Sequence, residues 1–321
     1  MSLNTSDKIA ITGGAGFLGG FVIDKLTTAG FTNLVSLRKK DFDLTCEAEV
    51  DRLYQSVKPD VILHLAAEVG GIGANRENPG RFFFANMAMG LHLIEGARKF
   101  GLKKFIQTGT ICAYPNLTPV PFSEDNLWNG FPEVTNAPYG IAKKSLLMMC
   151  QAYRQQYGLN AIYLLPVNLY GPRDNFHPQS SHVVPALIRK CVEARDRGSA
   201  SISAWGTGSA SREFLYVEDC AEGIVKATQQ YDSPEPMNLG SGREITIRAL
   251  TELIAKLSNF TGQIIWDPTK PDGQPRRCLD VSRAKREIGF TANTTLEAGL
   301  AKTIKWFEDQ CGNVTEREFV S

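Results

Sequence analysis

The residues best suited to do chemistry lie near the middle of the chain. Tyr139 and Lys143 stand four apart in the run Asn136-Ala137-Pro138-Tyr139-Gly140-Ile141-Ala142-Lys143. On a helix, positions i and i+4 share a face, so phenol and ammonium would share one site. A phenol with an ordinary pKa of about 10 is a poor acid–base group at neutral pH, whereas a nearby cation favours the phenolate and brings it into range. Taken alone, Tyr and Lys at this spacing are commonplace surface neighbours. Here they follow the run Gln107-Thr108-Gly109-Thr110, whose Thr110 would offer a hydroxyl to a substrate carbonyl.

A second feature precedes them. Thr12-Gly13-Gly14-Ala15-Gly16-Phe17-Leu18-Gly19 fits G-x-G-x-x-G through Gly14, Gly16 and Gly19, between an apolar strand pattern and a helical one. Glycine serves there for a tight turn, for close approach of a pyrophosphate and for helix–strand packing. The helix start presents free N–H groups and the positive end of its dipole to phosphate. The strand before and the helix after turn a weak motif into a dinucleotide site. The next strand, 33–37, ends in Arg38-Lys39-Lys40, with no acid before Asp41. An acid there would hold a ribose diol, while cations hold a 2′-phosphate, so NADP(H) is the expected cofactor.

The elements that must position these residues alternate. Runs 8–12, 33–37, 61–65, 104–108 and 161–167 read as buried strands, and 19–29, 47–57, 81–100 and 138–157 as amphipathic helices. This alternation predicts an α/β fold, a Rossmann-like doubly wound parallel sheet with ligands beyond the carboxyl ends of its strands. Past residue 168 the texture changes. A helix is expected over 182–197, a loop at 205–211, strands at 214–217 and 237–239, and helices at 219–230 and 246–258. A Pro/Gly/basic loop at 267–277 then leads to a final short helical region. The expected domains are a cofactor domain over 1–170, to which about 212–240 returns, and a smaller C-terminal α/β substrate lobe over 171–321.

Composition limits the function classes. The chain has 321 residues, 43% apolar and 21% charged, with 35 Lys+Arg against 34 Asp+Glu. That is ordinary for a globular protein of about two domains and gives no global field for nucleic acid or an anionic membrane. No apolar run approaches a membrane span, and residues 1–7 lack the pattern of a secretory signal. Seven scattered cysteines without a C-x-x-C pair, and four histidines without metal spacing, point to a reducing cytoplasm and no structural metal. Helices 81–100 and 138–157 carry apolar residues on more than one face (Phe82, Phe83, Phe84, Met87; Leu146, Leu147, Met148, Met149), a surplus that a homodimer would bury.

Further runs carry a resemblance: His64-Leu65-Ala66-Ala67, Val69-Gly70-Gly71-Ile72, Cys112 with Tyr114-Pro115, and Asn168-Leu169-Tyr170-Gly171-Pro172. Others are Asp174-Asn175-Phe176, Ser181-His182-Val183, Trp205-Gly206, Arg212-Glu213-Phe214, and Lys270-Pro271-Asp272-Gly273 with Pro275-Arg276. Over nearly its whole length the chain resembles the extended short-chain dehydrogenase/reductases, and within them the GDP-L-fucose synthase family. The resemblance implies C3/C5 epimerisation of a GDP-4-keto-6-deoxyhexose followed by C4 reduction with NADPH. Cys112 and His182 match the family's two epimerisation acid–base groups, Tyr139 its proton donor at C4, Lys143 the group that holds the nicotinamide ribose, and Thr110 the position of a serine.

The same resemblance puts Gly13, Gly14, Gly16, Phe17, Leu18, Gly19, Arg38, Lys39, Asp43, Leu44, Leu65, Ala66 and Ala67 along the cofactor. Pro166, Asn168, Leu169 and His182 would line its nicotinamide end. Lys190, Trp205, Arg212, Asp272 and Arg277 would meet the GDP-sugar. Read without the family, Cys112 is a small residue after a strand, His182 a cap or surface residue, and Arg212 a surface partner of Glu213. Departures from the family are Ala15, Ile111, Ala113, Gly140 and Lys190, the last unequal to Arg at a bidentate phosphate contact. They leave the reaction type intact and open the door to a related GDP-sugar such as a heptose. A 4,6-dehydratase would want a carboxylate pair where Ile111-Cys112 stand, and a 4-epimerase needs neither Cys112 nor His182. A non-catalytic NADP-binding scaffold would need neither Tyr139 nor Lys143.

Overall fold

The computed structural model describes residues 3–311; Met1, Ser2 and residues 312–321, the last of the expected substrate lobe, lie outside them. Six short apolar runs form one parallel sheet: β1 (Ile9–Thr12), β2 (Leu34–Leu37), β3 (Val61–His64), β4 (Lys104–Thr108), β5 (Ala161–Pro166) and β9 (Met237–Leu239), in the order β2-β1-β3-β4-β5-β9. The order reverses at β1, so the crevice between the ends of β1 and β3 is the topological switch point where ligands of such sheets bind.

Both faces are covered, which is why the strands are apolar almost throughout. Ile9, Ile11, Val61, Leu63, Ile106 and Leu164 meet α1 (Phe17–Thr28) and α7 (Val217–Gln230). Ala10, Ile62, Phe105 and Ala161 meet α2 (Glu47–Val57), α4 (Pro79–Lys99) and α5 (Ala137–Tyr157). A short α3 (Ile72–Glu77) precedes α4. The register aligns Thr12 with Leu37 and His64, and His64 with Gln107. Gly13, Arg38, Leu65 and Gly109-Thr110 therefore emerge together just past one edge of the sheet.

A smaller assembly covers that edge. The strands β6 (Asn168–Tyr170), β8 (Ser211–Tyr216), β10 (Glu244–Thr246) and β12 (Arg276–Arg277) form a second sheet, and β7 (Ser201–Trp205) pairs in parallel with β11 (Gln263–Asp267). Helices α6 (Val183–Asp196), α8 (Ile247–Leu257) and α10 (Leu296–Cys311) close a separate core around Tyr170, Phe176, Ile188, Phe214, Ile254 and Phe307. Within 212–240, α7 packs on the main sheet and β9 forms its edge, while β8 belongs to the smaller sheet. Two expectations are corrected. The loop 267–277 ends in β12, whose pairing with β8 satisfies its backbone. The final region is two helices, α9 (Ser282–Ile288) and the 16-residue α10, rather than one short one.

Candidate active site

The cofactor end is built by the turn between β1 and α1. Gly13 has φ +69° and approaches Ala66, where a Cβ would lie 3.0 Å from the Ala66 nitrogen. A Cβ at Gly19 would lie 2.1 Å from the Gly13 oxygen, so glycine there lets the helix start touch the turn. Gly16 caps α1 without a side-chain bond, and the first turn, with Phe17 and Leu18, carries no acid. Its amides thus stay open to an anion. Thr12 fixes the opposite wall: its Oγ1 accepts the Ala66 N–H at 3.1 Å and lies 2.8 Å from His64 Nδ1. This cradle fits a dinucleotide pyrophosphate.

Arg38 and Lys39 sit at the end of β2 and are exposed, each already facing an acid. Arg38 Nε is 3.1 Å from Asp41, and Lys39 Nζ reaches Glu68 at 3.2 Å, which Arg81 also meets at 2.7 Å. Asp43 is engaged locally, accepting from the Thr45 N–H and hydroxyl, and these bonds hold its carboxyl below the usual range. Leu44 is buried beside it. Sequence reading missed Asn86, whose buried amide donates to the Glu68 and Phe82 carbonyls at 2.7 Å and accepts the Glu68 N–H. It thereby shapes the segment after Ala67. A lone amide on the apolar face of α4 was the available signal.

The reactive cluster forms where the turn after β4 meets α5. Thr110 Oγ1 accepts the Cys112 N–H at 3.2 Å and hydrogen-bonds the Tyr139 phenol. A Cβ at Gly140 would lie 2.3 Å from the Cys112 oxygen, so glycine lets the Cys112 backbone pack onto the helix that bears Tyr139. That departure from the family thus has a packing role. Glu133 steadies the same helix start, taking bonds from Thr135 and from both the backbone and side chain of Asn136.

The electrostatics of the pair differ from the expectation. Burial pushes the Tyr139 phenol well above 10, and Lys143 is not among the groups that shift it. Burial also lowers Lys143 to about 8, while its Nζ donates to the Thr108 carbonyl at 3.2 Å. The phenol is therefore a neutral proton donor and the ammonium a destabilised cation beneath it. Behind them lie two further groups the sequence did not flag. His64 Nε2 and Gln107 Oε1 are buried without a partner, and desolvation followed by the Lys143 charge drives His64 far below its ordinary pKa.

His182 is the N-cap residue of α6 and makes no capping bond with its ring. The ring is accessible yet crowded, as in a cleft, and desolvation lowers its pKa. The preceding Ser181 oxygen approaches Gly71, where a Cβ would be 3.2 Å away, so the Val69–Ile72 motif borders the same cleft. Asp174 stands in this loop with one buried, unpartnered oxygen, and burial raises it to about 7.

Other expected residues are placed as follows. Pro166 ends β5, and Leu169 packs against the main core. The Asn168 amide donates to the Glu213 carbonyl at 3.0 Å, which accounts for an amide in an otherwise apolar strand. Lys190 Nζ donates to the Ser203 carbonyl at 2.8 Å, and Asp272 accepts from the Thr207 N–H and hydroxyl at 2.8 Å. Trp205 is 56% exposed, with Lys270 Nζ 5.5 Å from its ring centre. Arg212 donates to the Ser211 and Asp272 carbonyls, and burial followed by its neighbour Arg277 lowers it to about 10. Glu213 is not its surface partner. That carboxylate is fully buried and accepts the Ser241, Gly242 and Leu279 N–H groups at 2.5–2.7 Å, tying the second sheet together.

A model of the NAD dependent epimerase/dehydratase family matches residues 9–240, a span that runs from the start of β1 to just past β9. The chain belongs to that family. It is 42% identical over 302 residues to GDP-L-fucose synthase 1 of Arabidopsis thaliana, covering 94% of this chain and 93% of that one. Among solved structures, a GDP-L-fucose synthetase from Naegleria fowleri bound to NADP superposes with a TM-score of 0.89 at 28% identity, covering 98% of both chains. A GDP-6-OMe-4-keto-L-xylo-heptose reductase from C. jejuni superposes with a TM-score of 0.90 at 26% identity, covering 97% of this chain and all of the other. Among the described residues no helix is long and apolar enough to cross a membrane, and no cluster of metal-ligating side chains occurs.

Proposed function

We propose that this chain converts GDP-4-keto-6-deoxy-D-mannose to GDP-L-fucose, inverting C3 and C5 and then reducing C4 with NADPH. The observation that carries the reading is Cys112 beside Tyr139: its backbone packs on the helix that bears the phenol, its thiol acts electrostatically on that phenol, and Thr110 bonds both the Cys112 N–H and the Tyr139 hydroxyl. A plain reductase has no use for a thiol there, and a dehydratase would want carboxylates.

The chain's own groups perform separable tasks. The glycine turn and the open start of α1 seat the pyrophosphate, and Arg38 and Lys39 meet a 2′-phosphate by exchanging their carboxylate partners for it. When bound, the reduced nicotinamide supplies hydride to C4. Thr110 and Tyr139 hold the C4 oxygen, which acidifies the protons on C3 and C5 because the resulting enolate charge rests on that oxygen. Cys112 and His182 exchange those protons from opposite faces, and Tyr139, kept neutral by burial, protonates the C4 oxyanion on reduction. Lys143 steadies that charge from below. Arg212 and Trp205 receive the diphosphate and base, while Lys190 and Asp272 brace the walls around them.

Residues 1–170 with 212–240, less β6 and β8, serve as the cofactor domain, and the rest of 171–321, with β6 and β8, as the substrate lobe. A homodimer through α4 and α5 would cover Phe84, Leu91 and Met148, which are 63%, 40% and 48% exposed. The six cysteines seen among the described residues are all unpaired, which suits a reducing cytoplasm. The likeness to the heptose reductase supports a second reading, C4 reduction of a GDP-keto-heptose. A pure NADP-binding scaffold would gain nothing from burying Lys143. Incubation with GDP-4-keto-6-deoxymannose and NADPH, with the product identified by NMR, tests the assignment: GDP-L-fucose supports it, and turnover only of a keto-heptose replaces it.

A further inference from the structure

We propose that Arg277 is a positioning residue for Cys112 rather than a contact for the nucleotide: its guanidinium fixes the thiol sulfur and stabilises the charge that the sulfur carries during proton transfer. This rests on the reading of Cys112 as an epimerisation group. Arg277 Nη1 lies 3.7 Å from Cys112 Sγ, and the residue is buried at 8% exposure, where Arg212 beside it is more open. A guanidinium has five N–H donors and no acceptor, so the contact can only run from N–H to a sulfur lone pair. It strengthens when the sulfur is anionic.

The guanidinium is itself locked. Its Nε donates to Gln274 Oε1 at 2.7 Å, and the Gln274 amide donates onward to the Asn116 carbonyl at 2.8 Å. Asn116 lies in the loop that follows Cys112 and is bonded through its N–H to the Phe131 carbonyl. The C-terminal segment is thus strapped across the reactive loop by one amide and one guanidinium, both buried. Glu133, at the start of α5, feels the Arg277 charge, yet among the described residues no carboxylate lies within 4.0 Å of Arg277 or of Arg212 beside it. The Arg277 charge is therefore left for the sulfur, while the more open Arg212 is left for the diphosphate.

In the step concerned, the proton on C3 or C5 moves to sulfur, and its C–H electron pair enters the C4 carbonyl as the enolate. His182, as its imidazolium, gives its N–H proton to the other face of the carbon as the enolate pair returns to it, and the thiol then passes its proton through solvent to the neutral His182, restoring thiolate and imidazolium. Whichever direction the step runs, the sulfur is anionic at one end of it, and that is the state Arg277 favours.

The test follows loss of the C3 and C5 proton signals by NMR in deuterated buffer, with GDP-4-keto-6-deoxymannose and NADP⁺-loaded enzyme, so that no reduction intervenes. Arg277→Gln should lower the saturated exchange rate roughly ten- to a hundredfold, the worth of a charge-assisted hydrogen bond. KM and the Kd for GDP should move less than about threefold on the same argument. Arg277→Lys should recover part of the rate, and Gln274→Ala, which frees the guanidinium without changing charge, should show the same pattern more weakly. If Arg277→Gln does not fold, Gln274→Ala carries the test. A tenfold loss of GDP affinity with unchanged saturated exchange would make Arg277 a diphosphate contact and overturn the proposal, as would parental rates in both variants. Cys112→Ser with parental exchange would instead remove the underlying reading, a result distinguishable because it does not involve Arg277.

Discussion

Lys143 should make the ligand-free protein less stable than it would be without it. The residue is 1% exposed and its ammonium is lowered from 10.5 to about 8 by burial. A displacement of about 2.5 pH units corresponds to about 3 kcal/mol of penalty on the charged form. Its bond to the Thr108 carbonyl offsets about 1 kcal/mol, and the Gln107 amide, 2.8 Å from the same oxygen, would keep that acceptor satisfied. Lys143→Met, similar in length and apolar, should therefore stabilise the ligand-free protein by roughly 2 kcal/mol, raising its melting temperature by about 3–6 °C.

The pH dependence fixes the sign. A base whose folded pKa is depressed binds fewer protons folded than unfolded between pH 8 and 10.5, so the penalty is complete below about 8 and gone above about 10.5. Lys104 is lowered to the same range but is present in both proteins, so it cancels in the comparison. Differential scanning of parent and variant from pH 7 to 10.5 should show a gap that closes with rising pH, while NADPH oxidation by the variant is lost. A variant that melts at or below the parent at pH 7, or a gap that does not narrow, refutes the reasoning.

Tyr139→Phe should leave the fold intact and slow NADPH consumption at 340 nm by about a hundredfold or more, since it removes the hydroxyl that Thr110 bonds; a parental rate would remove Tyr139 from the reduction. Arg38→Ala should weaken NADPH about fivefold, a surface-pair effect, and leave NADH unchanged, whereas Asp41→Asn, which releases Arg38, should tighten NADPH; fluorescence titration at low and high salt checks both. Gly19→Ala should abolish measurable NADPH binding, because its Cβ would meet backbone atoms of Gly13 and Gly14 that cannot step aside. Isothermal titration reads this directly, and parental affinity would contradict the phosphate assignment.

The main sheet was legible because its strands are apolar on both faces and helices of clear amphipathicity lie between them. Ile9–Thr12 and Val61–His64 are buried at every position. The second sheet was not, because its strands are two to six residues long and partly polar. Arg276–Arg277 has no periodicity, and its strand character comes wholly from β8 beside it. The same limit applies to the site. Tyr139, Lys143 and Thr110 announce themselves by spacing and order. The carboxylate partners of Arg38 and Lys39, the Gly140 approach to Cys112 and the Arg277 contact with its sulfur join residues that only the folded chain brings together. Glu213 shows the hazard plainly: adjacency to Arg212 suggested an ion pair, yet strand alternation sends the two side chains to opposite faces.

The central claim is that a thiol and an imidazole move protons on carbons flanking a ketone in the site that also reduces it. It is tested most directly by running the complete reaction in deuterated buffer and locating deuterium in the product. The product should be GDP-L-fucose carrying solvent deuterium at both C3 and C5, with that incorporation lost in Cys112→Ser and His182→Asn. A reduced sugar with neither position labelled would contradict it.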